Sequence, residues 1–239
     1  MRVWDLHPGY LSRNSLLGQH AEIHALLSVL EGSKIGYRSH PETLRWKGHL
    51  DRLKGKHDLT VKEMNLRGYR HASPVYFNLE TGGSNVEGKL SYIDHPAEQF
   101  QILWAKYREP HASGRIPLPV RGTDFWAHHK YSVMSRSYNF YKEVRDYLKS
   151  KNDLYISREK ELIEWTLDIM EMPVSHKSLV NVLQHLWGYF KKEASTGEKE
   201  KFFYLFQEHL QGAIDFLYYL SHKYKQEYLI HSTVFADFV

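Results

Sequence analysis

Apolar positions recur at helical spacing near the start of the chain. From Leu16 to Leu30 an apolar residue or a histidine returns every three or four positions, which predicts one buried helix face. Asn14 or Ser15 can cap the start of this helix, and Gly32 follows its end. The pattern therefore predicts a first amphipathic helix between these signals.

A second apolar periodicity follows in the next segment. It runs from Trp46 to Met64, with Pro41 well placed in the first turn and Gly68 after the last apolar position. Gly55 weakens the middle of this segment without necessarily breaking it. We therefore predict one long second helix that ends before Gly68.

The rest of the chain divides into loops and further helices. Gly, Pro, Ser and Asn signals in residues 69–95 predict irregular structure, and a helix is expected over 96–107, followed by a Pro/Gly-rich loop. Beyond this loop, apolar spacing predicts five helices, over 123–135, 137–150, 157–171, 175–193 and 198–225.

These elements predict a mainly α protein with two domains. We expect an N-terminal helical domain over 1–95, a connecting helix and Pro/Gly loop over 96–121, and a C-terminal helical bundle over 122–239. A chain of 239 residues is long enough for two domains that each bury a core.

Composition removes several classes of protein. The chain has no cysteine, which excludes disulfides, thiolate catalysis and cysteine-bound metals. No apolar run reaches the ~18 residues that a membrane helix requires, and the first ten residues lack the apolar core of a signal peptide. We therefore expect a cytoplasmic protein that has no membrane partner.

Basic residues are concentrated in the first half of the chain. Residues 1–121 carry 17 Lys/Arg against 12 Asp/Glu, whereas residues 122–239 carry 15 against 16. A basic half favours an anionic partner, of which nucleic acid is the commonest. On charge alone, a solvated basic surface is an equally good interpretation.

Seven short blocks in the first third of the chain carry the most specific signal. They are Met1-Arg2-Val3-Trp4-Asp5-Leu6, Leu16-Leu17-Gly18-Gln19-His20-Ala21-Glu22-Ile23-His24, His40-Pro41-Glu42-Thr43-Leu44-Arg45-Trp46, Gly48-His49-Leu50, Lys56-His57, Glu63-Met64 and Arg67-Gly68-Tyr69. Together, and in this order, they resemble the pyrimidine-dimer DNA glycosylase (endonuclease V) family over residues 1 to about 75.

The resemblance implies a specific chemistry. In that family the α-amine of the first residue attacks C1′ of the damaged nucleotide, a Schiff base forms, and β-elimination cuts the strand. Glu22 stands at the place of the family's glutamate, which orients the amine and assists proton transfers. An α-amine titrates near ~7.7–8.0 and a lysine near ~10.4, so more of the α-amine is neutral and nucleophilic at physiological pH.

The position of Met1 agrees with this role. Because Arg2 has a large side chain, we expect aminopeptidases to leave Met1 in place. Met1 lies 21 positions before Glu22, which is also the spacing in the phage member of the family. The sequence therefore predicts Met1 as the nucleophile and Glu22 as the catalytic carboxylate.

The resemblance also implies a partner, double-stranded DNA with damaged pyrimidines or abasic sites. Arg2 matches a basic residue that contacts DNA phosphate in the family. Arg13, Arg45 and Lys47 are candidates from charge alone, and solvated bystanders are the alternative. His20 is a further candidate for DNA contact.

One departure from the family concerns specificity. Ala21 and Ala25 stand where the phage enzyme has arginines that grip the kinked DNA. The resemblance therefore supports the imine chemistry better than it supports a preference for pyrimidine dimers. A different damaged base or a plain abasic site stays open as the substrate.

Two histidines on the first predicted helix have a spacing that can chelate zinc. His20 and His24 lie four residues apart, but no HExxH pattern accompanies them, and His20 falls on the predicted buried face. We therefore interpret them as packing or DNA-contacting residues, and predict neither a metal nor a cofactor.

A second resemblance covers about 115 residues of the C-terminal half. Its blocks are Trp126-Ala127-His128-His129-Lys130-Tyr131-Ser132-Val133-Met134-Ser135-Arg136-Ser137, His176-Lys177, Asn181-Val182-Leu183-Gln184-His185-Leu186-Trp187-Gly188-Tyr189-Phe190-Lys191-Lys192 and, after Tyr204 and Phe206, Gln211-Gly212. They resemble the YbgA-type helical domain of unknown function. The genes and domains with which this type of domain occurs suggest nucleobase or nucleic-acid processing, by association only.

Polar residues within these apolar helices are candidate functional groups: His128, His129, Lys130, Arg136 and His185. They either bind a phosphate or a base, or satisfy one another across a helix contact, and we favour the structural role. Adjacent histidines cannot share one helix face, so a metal held by both His128 and His129 is not expected.

Three functions follow from these observations. The leading hypothesis is a DNA-repair glycosylase with abasic-site lyase activity. The alternatives are a non-catalytic nucleic-acid-binding protein and an enzyme that processes nucleobases or RNA with its C-terminal domain.

Overall fold

A computed structural model describes residues 2–32, 36–75, 88–107, 113–150 and 153–238. Within these ranges the fold is mainly α, as predicted, with no β-strand. The α-helices are α1 (Arg13–Leu30), α2 (Pro41–Trp46), α3 (Leu50–Leu66), α4 (Pro96–Lys106), α5 (Gly122–Met134), α6 (Tyr138–Ser150), α7 (Lys160–Met170), α8 (His176–Trp187), α9 (Thr196–Glu208), α10 (Leu210–Lys223), α11 (Glu227–Ile230) and α12 (Val234–Phe238). Single 3-10 turns cover Pro8–Tyr10 and Ile156–Arg158.

The chain forms two compact units, unit 1 (Met1–Gly114) and unit 2 (Arg115–Val239). The boundary falls inside the predicted connecting region 96–121. Helix α4, predicted as part of a connector, belongs to unit 1.

Unit 1 is built on the packing of α1 against α3 and α2. Ile23 and Leu26 of α1 share a buried cluster with Trp46 and Leu53, and Val3 of the N-terminal segment joins the same cluster. Burying one such side chain is worth about 1.5–3 kcal/mol, so this packing fixes the N-terminal segment against α1.

The start of α1 is set by a different cap from the predicted one. The helix begins at Arg13, and its N-cap is Ser12 rather than Asn14 or Ser15. The hydroxyl of Ser12 accepts a hydrogen bond from the backbone N–H of Ser15 at 3.3 Å. Serine at this position satisfies one of the free N–H groups of the first turn.

The predicted second helix is two helices in the structure. Helix α2 ends at Trp46 and α3 begins at Leu50, and Gly48 between them has a φ of 81°. Glycine adopts this left-handed conformation without the steric cost that other residues meet. Trp46 and Leu50 are four residues apart, so the apolar periodicity continues through the break and conceals it.

Helices α5 and α10 form the centre of unit 2. Helix α5 contacts α6, α7, α8 and α12, and α10 contacts α8, α9, α11 and α12. The predicted helix over 198–225 is divided at His209, whose side chain accepts a hydrogen bond from the backbone N–H of Gly212 at 2.8 Å. His209 therefore ends α9 and caps α10.

A close backbone contact lies near the C-terminal end of unit 1. A Cβ atom on Gly114 would lie 2.2 Å from the carbonyl oxygen of Gly9 and 2.8 Å from that of Leu11. Only glycine allows these two stretches of backbone to approach this closely.

None of the described helices is long and apolar enough to cross a bilayer.

Candidate functional site

The N-terminal segment is tied to α1 by a buried amide. Gln19 accepts a hydrogen bond from the backbone N–H of Trp4 at 2.9 Å and donates to the hydroxyl of Thr60 on α3 at 2.9 Å. Gln19 and Thr60 are almost fully buried, so these bonds are shielded from water. These bonds therefore hold the N-terminal segment against α1 at Gln19, one helical turn before Glu22.

Asp5 is the next anchor of this segment. Its carboxylate accepts hydrogen bonds from Gln99 at 2.6 Å and from Arg45. The ammonium group of Lys56 donates to the carbonyl oxygens of Asp5 and Leu6 at 2.9 Å each. Charge-assisted bonds of this kind are stronger than neutral ones, and they fix the backbone just after Trp4.

Arg67 secures the 3-10 turn that follows. Its guanidinium donates to the carbonyl oxygens of Pro8, Gly9 and Leu11 at 3.2, 3.1 and 2.7 Å. The same group pairs with the buried carboxylate of Glu63 at 2.8 Å. Residues 4 to 11 are therefore organised by side chains from α1, α2, α3 and α4, and by Arg67, which directly follows α3.

Glu22 lies on α1, three residues after Gln19. It is half-buried, and it directly precedes the fully buried Ile23. Its position on the first helix agrees with the sequence prediction. Met1, the predicted nucleophile, lies outside the described residues.

The predicted DNA-binding residues have different environments. Arg2 pairs with Asp94, and its guanidinium lies 4.9 Å from the centre of the Trp4 ring. Arg13 and Lys47 are exposed, which suits contact with a phosphate.

Arg45, in contrast, belongs to the interior of unit 1. Its guanidinium is buried and pairs with Asp5 and, at 3.4 Å, with Glu42. A phosphate would have to break these ion pairs to reach it. Arg45 is therefore not part of the exposed basic surface, in contrast to the expectation from charge alone.

His20 is part of a cluster that the sequence does not reveal. His20 and His24 of α1 lie beside His57 of α3 and His71, which follows α3. One ring nitrogen of each lies within 4.8 Å of those of the other three. Burial, followed by repulsion from the other three rings, lowers the pKa of His20 to about 4. We call these four residues the histidine cluster.

The sequence-predicted candidates of unit 2 differ in their exposure to solvent. Burial lowers the pKa of His128 to about 4 and that of His129 to about 3. Burial also lowers the pKa of Lys130, whose ammonium group lies 4.5 Å from the centre of the Tyr228 ring. His185 is exposed on α8.

Arg136, which lies just after α5, links three parts of unit 2. It donates to the carbonyl oxygens of Ser132 and Met172 at 2.9 and 3.0 Å, and it pairs with the buried Asp237 of α12 at 3.3 Å. These contacts fit the structural role that the sequence favours for this residue.

Comparison with known families gives two matches, one that lies within unit 1 and one that lies within unit 2. Residues 1–77 match a family model described as pyrimidine dimer DNA glycosylase, and residues 130–238 match one described as a protein of unknown function (DUF1722). The fusion indicated by the two sequence resemblances is thereby confirmed. The first match supports a DNA-repair role of the pyrimidine-dimer-glycosylase type, and hence a DNA substrate. No curated protein and no solved structure matches the chain.

Proposed function

We propose that this protein is a DNA-repair glycosylase with abasic-site lyase activity, in which the α-amine of Met1 attacks C1′ of a damaged nucleotide and Glu22 acts as the catalytic carboxylate. The substrate is double-stranded DNA that contains damaged pyrimidines or abasic sites. The match of residues 1–77 to a glycosylase family gives the reaction class.

One observation carries the assignment of the two groups. Val3 is buried in the same cluster as Ile23, the residue next to Glu22, and the backbone of Trp4 is bound to Gln19 one turn earlier. The segment at Val3 and Trp4 is therefore tethered to the part of α1 that carries Glu22. This anchoring supports an amine that works beside the Glu22 carboxylate.

The first half of the reaction removes the base. The neutral amine uses its lone pair to form a bond to C1′ while the glycosidic bond breaks, and the leaving base takes the electron pair of the glycosidic bond and a proton from solvent. One proton then moves from the nitrogen to O4′, through Glu22, as the C1′–O4′ bond opens and the protonated imine forms. The carboxylate therefore serves as a proton carrier at the sugar.

The second half cuts the strand. Glu22 takes a proton from C2′, and the electrons of that C–H bond move into the imine to give an enamine. The imine then re-forms as these electrons make the C2′=C3′ double bond and the 3′ phosphate leaves with the electrons of its C3′–O bond. Water then hydrolyses the imine and returns the free amine. The imine acts as the electron sink that makes the C2′ proton removable.

Covalent trapping tests the proposal. The untagged, full-length protein is incubated with duplex DNA that contains a cyclobutane dimer or an abasic site, and borohydride is added to reduce the imine. We expect a covalent adduct that peptide mass spectrometry locates at Met1. Absence of trapping on both substrates would contradict the lyase chemistry.

Glu22→Gln tests the carboxylate. Loss of a positioned proton-transfer group lowers the rate by about 100- to 10,000-fold, and we expect strand cleavage to fall within that range. Glu31→Gln is the matched control, because Glu31 is an exposed carboxylate immediately after α1. Full activity in Glu22→Gln would remove Glu22 from the reaction.

A blocked N-terminus distinguishes catalysis from binding. Acetylation of the Met1 amine should abolish trapping while leaving DNA binding measurable. A non-catalytic nucleic-acid-binding protein would show neither trapping nor any change after acetylation.

A further inference from the structure

The histidine cluster draws ring nitrogens from three segments of unit 1. The Nε2 atoms of His20 and His24 are 3.2 Å apart. The ring centre of His57 lies 5.2 Å from that of His20 and 5.1 Å from that of His24. The ring centre of His71 lies 5.0 Å from that of His20 and 5.4 Å from that of His57. Four imidazoles thus surround one small volume.

We propose that the histidine cluster is a binding site for a divalent first-row transition metal ion, zinc foremost, that fastens α1, α3 and the segment at His71 to one another. The sequence alone predicts no metal in this protein, because only two of the four ligands lie near each other in the chain. The site does not depend on the proposed lyase activity.

The spacing of the nitrogens suits tetrahedral zinc. With Zn–N bonds of about 2.0–2.1 Å, the nitrogens at the corners of a tetrahedron lie roughly 3.3 Å apart. His20 and His24 already have this separation, and all four ligand atoms lie within 4.8 Å of one another. Small side-chain rotations are enough to close the remaining gap.

His57 has the hydrogen bonding of a metal ligand. Its Nδ1 lies 3.1 Å from the carboxylate of Asp58, which favours the tautomer with the proton on Nδ1 and leaves the lone pair on Nε2. His57 is only 3% exposed, and its Nε2 finds no hydrogen-bond partner among the described residues. The buried Nε2 of His71 also lacks such a partner within the described chain. A buried nitrogen without a partner is costly, and a metal would satisfy both atoms.

The donor chemistry of the cluster suits a first-row transition metal ion. Neutral imidazole offers a lone pair, and it is a favoured ligand of zinc, copper, nickel and iron. Four imidazoles fill a tetrahedral shell, which is the arrangement of structural rather than catalytic zinc.

The geometry separates the metal from the proposed catalytic carboxylate. His20 and His24 lie one turn apart on the same face of α1, whereas Glu22 is two residues from each and therefore points to the opposite side of the helix. The ion would hold α1 in place without contacting the reacting sugar. Its role is to position the helix that carries Glu22.

Metal binding to the full-length protein tests the site. The protein is treated with a chelator, freed of it, and titrated with Zn²⁺ alone by calorimetry and with Co²⁺ alone by visible absorption. We expect one high-affinity equivalent, and intense Co²⁺ bands of a four-coordinate ion. Zn²⁺ should also raise the melting temperature, because a ligand that binds only the folded state stabilises it.

Variants locate the ion. Asp58→Asn removes the hydrogen-bond partner of the ligand His57, and we expect its Zn²⁺ affinity to fall by about 10- to 100-fold. His24→Ala removes a ligand itself, and we expect a larger loss of Zn²⁺ affinity. His49→Ala is the matched control, because His49 is a half-buried histidine of unit 1 outside the histidine cluster. Glu22→Gln should bind Zn²⁺ like the wild type, so a failure of the lyase proposal would leave this result intact.

Several results would overturn the site. They are a wild type that takes up no Zn²⁺, the pale spectrum of hydrated Co²⁺, and an equal loss of affinity in His49→Ala and His24→Ala. If circular dichroism shows that a ligand variant does not fold, the wild-type stoichiometry and the Co²⁺ spectrum decide the question.

Discussion

Both units use arginine to hold a terminal segment of the chain. In unit 1, Arg67 donates to three carbonyl oxygens of the N-terminal segment and pairs with the buried Glu63. In unit 2, Arg136 pairs with the buried Asp237 of α12, and Arg115 donates to carbonyl oxygens at residues 230 and 232. Charge-assisted bonds to backbone thus do the same structural task at both ends of the chain.

The units differ in how their buried and half-buried histidines are arranged. In unit 1, four ring nitrogens converge on one another. In unit 2, His129 stacks on Phe125 with ring centres 4.2 Å apart, while His128 lines a cavity of about 230 Å³ with His231 and Asp124. Adjacent positions on a helix diverge by about 100°, whereas positions four apart share a face. The convergence of ring nitrogens on one point, rather than burial, therefore distinguishes the candidate ligands of unit 1.

The largest expected effects concern the two arginine anchors. Arg67→Met and Arg136→Met should each destabilise the protein by about 3–5 kcal/mol, because each removes the cation from a buried ion pair. Urea unfolding of the full chain, followed by ellipticity, measures this. At urea concentrations where both variants remain folded, borohydride trapping should fall in Arg67→Met and persist in Arg136→Met.

Equal trapping in these two variants would mean that the N-terminal anchor is irrelevant to catalysis. Stability losses below about 1 kcal/mol in both would instead indicate that the ion pairs are exchangeable with water.

An intermediate effect is expected from acid in unit 2. The folded pKa values of His128 and His129 lie near 4 and 3, below the unfolded value of about 6.5, so the unfolded chain takes up protons first as the pH falls. Their contribution to stability is therefore complete above about pH 6.5 and is lost progressively down to about pH 3–4. At about pH 5 we expect a loss of roughly 2 kcal/mol for each histidine. The ionisable groups that act on them are His231, Asp124, Arg115 and Arg136.

His129→Leu sharpens this measurement. Urea midpoints at about pH 7 and about pH 5 should differ less in this variant than in the wild type, because one buried titrating group is gone. His185→Leu replaces an exposed histidine of the same unit and should keep the wild-type pH dependence. The same dependence in all three proteins would contradict the assignment to His129.

The smallest effect concerns DNA affinity. Lys47→Gln removes an exposed cation of unit 1, and we expect a few-fold weaker binding and a salt dependence of log K reduced by about one. Lys177→Gln removes an exposed cation of unit 2 and should leave both quantities unchanged. Fluorescence anisotropy at several salt concentrations measures both. Equal losses would show that the DNA-binding surface is not confined to unit 1.

The features that could be predicted from the sequence are those that depend on residues close together in the chain. Apolar spacing predicts the mainly α fold, and Glu22 lies on the first helix as expected. The two family resemblances were also visible in the order of local blocks, and both matches confirm them. Periodicity fails at Gly48 and His209, because a one-residue change of backbone conformation leaves the spacing of the apolar residues intact.

The sequence by itself therefore determined the mainly α fold and the two family resemblances, one of which implies the chemistry at the N-terminus. Only the tertiary structure decided which charged groups face inward, as with Arg45, and which distant histidines meet, as with His57 and His71 beside His20. The reason is physical: a local pattern records which face of a helix is buried, but the residues that face each other across two packed helices depend on how the whole unit folds.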